Sequence, residues 1–229
     1  IQHKNIYIVL DIHYISVIST LNNMTQIKTL GKVGIIGRFK PLHKAAAVVL
    51  EALCSQASEV IIGIGSANKY NARNPFSAEE TEGMLRSFLS PRFINYSVIA
   101  LPDFAHIPGY ENGQRWKEYA KEKFGELNFF VSGNDYVRAL LKDTYPLLHT
   151  TDVLRPDQYL RLRATEVRVE MARYGNWSSL VSSEVARYLE ERGLVDRFRE
   201  EFGLETLASL AQGIDCNTKE SAAVEALHA

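Results

Sequence analysis

"VGIIGRFKPLHKAA", residues 33–46, decides the fold class of this chain. Residues 33–36 form a continuous apolar run, the pattern of a parallel strand covered on both faces. Residues 45–55 follow with a helical pattern, so 37–43 is the turn from a strand into a helix. Such a turn points the free amides of the helix above the sheet, a position suited to phosphate. Gly37 permits a close backbone approach. Arg38 and Lys40 add positive charge, and Pro41 stiffens the path to His43. The stretch is neither a Walker A loop nor G-x-G-x-x-G. Taken alone, it also fits a basic surface loop with a solvent-exposed histidine.

Outward from this turn, the strand–helix alternation continues. Residues 59–65, 96–101 and 127–132 read as further strands, and 114–123 and 135–141 as helices. Ser77 and Glu80 have the spacing of a capping box that opens a helix running to about Leu89. Strand, helix, strand in this order predicts βαβ crossovers and an α/β, Rossmann-like, doubly wound parallel sheet. Ligands of such sheets bind at the carboxyl ends of the strands. Beyond Pro156 the pattern is helical over 165–173, 183–191 and 195–202, giving C-terminal helices.

One domain over 24–208 is expected, without a Pro/Gly/Ser linker inside it. Residues 209–229 are alanine-rich without clear periodicity and are expected to form a flexible tail. Residues 1–23 are expected to form an N-terminal extension outside the functional fold, upstream of Met24; the alternative is an extra strand at 7–10.

Composition narrows the partners. Lys plus Arg number 26 against 27 Asp plus Glu, for a net charge of −1, so no global basic field exists for nucleic acid and any anion site is local. The 229 residues suffice for a sizeable core without staples. Cys54 and Cys216 are far apart and form no metal spacing, as expected of a cytoplasmic chain. No apolar segment approaches the roughly 20 residues that span a bilayer, so no membrane association is expected.

The loop resembles the G-R-F-x-P-x-H-x-G-H motif of HxGH nucleotidylyltransferases, in particular the archaeal-type nicotinamide mononucleotide (NMN) adenylyltransferases. "GSANKYNARNPFSAEE" (65–80) is similar to that family's N-P-F-[ST]-A segment. "NGQRWKEY" (112–119) resembles the stretch that carries its tryptophan, and "VSGNDYVRALL" (131–141) its S-G-N strand end. "ATEVRVEMARYGNWSSLVSSEV" (164–185) resembles its T-x-[IV]-R helix and the W-x-x-L-V that follows. These segments come in family order across 33–194.

The resemblance implies adenylyl transfer from ATP to NMN, giving NAD and pyrophosphate, with Mg2+ carried on the ATP phosphates and no protein metal cage. It implies an ATP site of Gly37, Arg38, Phe39, His43, Asn134, Thr165 and Arg168, with His43, Arg168 and Lys40 as catalytic residues. It places NMN near Ser66, Asn68 and Trp116, and suggests a homo-oligomer by analogy. Beside these roles stand plainer ones: Trp116 as core, Arg168 paired with a helix glutamate, Asn134 as a turn residue, Trp177 as packing.

Three departures bear on activity. The motif's second histidine is replaced by Ala46 and its glycine by Ala45; the late serine is Arg163, followed by Ala164; and 69–73 ("KYNAR") lacks a histidine common in that segment. Loss of one preorganised donor typically costs about 10² to 10³ in rate. Arg163 adds a guanidinium that either compensates or crowds the triphosphate. The alternatives are therefore a nucleotide-binding paralogue impaired in catalysis, or transfer to another phosphorylated acceptor, such as a phosphopantetheine or polyol phosphate. Nucleic-acid binding through Arg155, Arg161, Arg163, Arg168 and Arg173 is less economical, because Asp157, Glu166 and Glu170 are interleaved with them.

Overall fold

In the computed structural model, which describes residues 30–109 and 112–212, five parallel strands form one sheet. In chain order the elements of the sheet layer are β1 (Leu30–Gly37), α1 (Lys44–Gln56), β2 (Ala57–Ile64), α2 (Ala78–Leu89) and β3 (Tyr96–Ala100). Then come α3 (Gln114–Phe124), β4 (Phe129–Val131), α4 (Asp135–Leu141) and β5 (Leu147–Leu148). The C-terminal helices are α5 (Ala164–Ala172), α6 (Ser183–Glu191), α7 (Leu194–Phe198), a π-helical turn (Arg199–Gly203) and α8 (Leu204–Ala211). The last of these runs across the boundary expected at 208. The N-terminal extension and its alternative strand at 7–10 lie outside the described residues.

The strand order is β3-β2-β1-β4-β5. The chain winds one way from β1 to β3, then returns to the other side of β1 for β4 and β5. The direction therefore reverses between β1 and β4, where doubly wound sheets open a crevice at their carboxyl edge. Register brings that edge into line: Gly37 pairs with Ile64 of β2, and Ile35 with Val131 of β4.

Each face of the sheet has its own core. Val33, Ile35, Val60, Ile62 and Ile64 point into the larger cluster, against α1, α2 and the C-terminal helices. Ile61, Phe130 and the partly buried Ile36 point into a smaller one with Phe124, Leu141 and Tyr145, under α3 and α4. Burial on both faces explains why β1 and β2 read as continuous apolar runs rather than alternating ones.

The capping box expected at Ser77 is present: Ser77 Oγ accepts from the Glu80 N–H at 3.1 Å and Glu80 Oε2 from the Ser77 N–H at 2.9 Å. Strand β5 was not anticipated. Two residues of edge strand after Pro146 are too short to leave a periodic signature. Among the described residues, no helix is long and apolar enough to cross a membrane.

Candidate active site at the carboxyl edge of the sheet

The turn after β1 has an unusual backbone. Phe39 adopts a φ of 53°, in the left-handed region, and the Lys40–Pro41 peptide is cis. The Phe39 ring folds back over Gly37, where an added Cβ would lie 2.7 Å from Phe39 Cζ. Position 37 therefore needs glycine for space rather than for φ. Phe39 is buried, and so belongs to the floor of the turn.

His43 is the N-cap of α1. Its Nδ1 accepts the N–H of Ala46 at 3.3 Å, which leaves the ring proton on Nε2. Burial, aided by the Arg168 guanidinium, lowers its pKa to about 4. At neutral pH the ring is thus an uncharged Nε2–H donor of fixed tautomer. Ala46, at the position of the absent second histidine, uses its backbone N–H for this cap and brings only a methyl group.

Arg168 closes the turn from the far end of the chain. Its Nη1 donates to the Lys40 carbonyl at 2.9 Å across 128 residues of sequence, and its Nη2 to Thr165 Oγ1 at 3.1 Å. Arg168 is buried. Glu166 caps α5, accepting from the Arg163 N–H at 2.9 Å, and Glu170 pairs with Arg173.

Lys40, expected to act on the reaction directly, has no exposed surface. Its Nζ donates to the Ser66 carbonyl at 3.2 Å, at the end of β2. Burial, reinforced by Arg38, lowers its pKa to about 8 against the opposing pull of Glu80. Ser66 itself has a φ of 52°. The amide of Asn68 is engaged at both ends: Nδ2 donates to the Asp103 carbonyl at 2.9 Å, and Oδ1 accepts the Asp103 N–H at 2.7 Å. It clasps the loop after β2 to the loop after β3.

Asn134 is the N-cap of α4, accepting from the Val137 N–H at 3.0 Å beside the end of β4. Trp116, in the first turn of α3, is half-buried and packs against the smaller core. Trp177 is buried in the larger core, as its packing role requires. The sheet order thus brings Gly37, Ser66 and Asn134 to three neighbouring strand ends.

Two features were not legible beforehand. Arg197 of α7 grips Glu80 with both arms, Nη1 to Oε1 at 2.5 Å and Nη2 to Oε2 at 2.7 Å, and donates to the Pro75 carbonyl at 3.1 Å. It therefore fastens the C-terminal helices to the N-P-F-S segment. His149 follows β5, and a Cβ on Gly133 would lie 3.6 Å from its Nε2. A strand of two residues gave no cue that this ring stands beside the end of β4. Among the described residues, no group of three or more His, Cys, Asp or Glu side chains is placed to hold a metal.

A family model described as cytidylyltransferase-like matches residues 35–188. The chain belongs to this family. Curated nicotinamide-nucleotide adenylyltransferases are similar over most of their length. That of Thermococcus sibiricus is 30% identical over 189 residues, covering 81% of this chain and 92% of the relative. That of Pyrococcus horikoshii is 31% identical over 188 residues, covering 81% and 91%. Within the family, the chain therefore stands with the archaeal-type NMN adenylyltransferases. Among solved structures, a bifunctional NMN adenylyltransferase/ADP ribose pyrophosphatase from Francisella tularensis, complexed with AMP and a Mn ion, has a TM-score of 0.56 at 18% identity. The match covers 75% of this chain and 52% of that one, and it supports the fold alone.

Proposed function

We propose that this protein transfers the adenylyl group of ATP to nicotinamide mononucleotide, releasing pyrophosphate and forming NAD. A 5'-phosphate oxygen of the acceptor attacks the α-phosphorus of ATP, and the bond to the bridging α–β oxygen breaks. No protein nucleophile takes part, so the chain contributes alignment and stabilisation of the growing charge. The observation that carries this reading is the meeting of Arg168 with the turn of Lys40 and His43 at one sheet edge.

Each group then has a task. The neutral His43 donates from Nε2 to an ATP phosphate oxygen. The Arg168 and Arg38 guanidinia face the polyphosphate, and Thr165 orients Arg168. Asn134 borders the adenylate, while Ser66, Asn68 and Trp116 border the mononucleotide. Mg2+ arrives with ATP as part of the substrate, held by phosphate oxygens and water.

A second reading, a nucleotide-binding paralogue with little turnover, is favoured by the methyl group at Ala46. One assay decides. The protein and its Ala46→His variant are incubated with ATP, Mg2+ and the mononucleotide, and NAD and pyrophosphate are quantified. Product from the unmodified protein supports transfer. ATP binding without product from either protein supports the paralogue. Replacing the mononucleotide with other phosphorylated acceptors tests acceptor choice in the same format.

A further inference from the structure

Lys40 has no exposed surface, and it carries a charge. A buried ammonium costs stability unless it is closely paired. The carboxylate that acts on it, Glu80, is already gripped by both arms of Arg197, and its neighbour Arg38 repels it. What Lys40 reaches is the carbonyl of Ser66, 3.2 Å away, which also accepts the Lys69 N–H at 3.1 Å. Ser66 holds a left-handed backbone that few side chains adopt without restraint. Meanwhile the carbonyl of Lys40 receives Arg168. One residue therefore joins the arginine of the late helix, through its backbone, to the turn after β2, through its side chain.

We infer that Lys40 is a positioning residue: its ammonium fixes the Ser66–Asn68 turn at the spacing from the polyphosphate groups that the mononucleotide phosphate requires. This deepens the proposed function and rests on its assignment of the acceptor to the end of β2. The lysine does not touch the reacting atoms. Because only its side chain serves the acceptor turn, replacing that side chain separates the two substrates. Arg168 keeps its carbonyl partner, so ATP is gripped as before, while the mononucleotide loses its aligned seat. The same replacement removes an unfavourable buried charge, so stability does not fall. A lysine serving only the fold behaves oppositely.

The test compares the unmodified chain with Lys40→Met and Lys40→Gln. Calorimetry measures the Kd of ATP and of NMN, and thermal unfolding gives Tm at pH 7. Lys40→Met, similar in length and apolar, is expected to weaken NMN binding about tenfold and ATP binding less than twofold, with Tm unchanged or raised. Lys40→Gln, one bond shorter but still a donor, is expected to recover part of the NMN affinity. Equal effects on both substrates, no effect on NMN, or a lowered Tm for both variants overturns the inference. If the unmodified chain binds NMN but forms no NAD, adenylyl transfer fails while the Kd comparison still decides the role of Lys40. If it does not bind NMN, both fall.

Discussion

The guanidinium of Arg168 donates to the carbonyl of Lys40 and lies close enough to His43 to depress its pKa. Two cations and a neutral imidazole thus converge on one turn. Repulsion among the positive groups is relieved when a polyanion enters. Under the proposed function the turn is preorganised for phosphate rather than assembled by it, which is how fixed donors stabilise charge.

Replacing His43 with asparagine is expected to separate the cap from the donor. The shorter amide side chain of His43→Asn retains an oxygen for the Ala46 N–H, so unfolding at pH 7 shifts little. The Nε2–H is lost, and kcat/KM with ATP is expected to fall about 10²-fold. Steady-state kinetics beside chemical denaturation checks both halves.

The pH dependence of stability carries the His43 signature. Its folded pKa, about 4, is below the ordinary 6.5, so the unfolded chain binds the proton first as pH falls. The contribution is complete above 6.5 and lost progressively towards 4. Denaturation midpoints measured from pH 7 to 4 are expected to fall less steeply in His43→Asn than in the unmodified chain. Parallel slopes contradict the buried, neutral ring.

Arg168→Lys keeps the charge but not the two-armed reach. With the Lys40 carbonyl and Thr165 hydroxyl no longer both served, stability is expected to drop about 1–3 kcal/mol. The Kd of ATP should rise at least tenfold. Calorimetry that finds ATP affinity intact removes Arg168 from the site.

Asn68→Ala deletes both hydrogen bonds to the Asp103 backbone. A cost of about 1–2 kcal/mol is expected, with a larger rise in KM for the mononucleotide than for ATP. Asn68→Asp keeps the acceptor alone and should be intermediate by both measures.

Glu80→Ala tests the fastening of the C-terminal helices. Burial disfavours the Glu80 carboxylate, yet the hydrogen bonds from Arg197 and from the Ser77 N–H hold its pKa below the usual range. Removing it strands a half-buried guanidinium and a helix cap, with an expected loss of about 2–4 kcal/mol in denaturant unfolding.

The sequence was most legible where one element declares itself. β1 and β2 are buried on both faces and read as unbroken apolar runs. Ser77 and Glu80 carry their cap within four residues. The turn at 37–43 and the helix of Arg168 were recognisable separately, through their resemblance to family motifs. What stayed hidden arises from three-dimensional closure. Nothing in "GRFK" distinguishes a lysine aimed at ligand from one sunk beneath the turn and bonded to Ser66. The grip of Arg197 on Glu80 spans 117 residues and leaves no local pattern. The bonds of Asn68 to Asp103 stayed hidden because they depend on how two neighbouring strands end.

The bond from Arg168 to Lys40 also has a consequence in time. A ribosome releases the first turn long before the helix that completes it, at roughly 5–20 residues per second. A growing chain therefore possesses a strand, a glycine turn and a histidine, but not the guanidinium that closes the turn. Only a polypeptide that has reached Arg168 closes the turn, so whatever stability this bond adds is denied to every shorter chain.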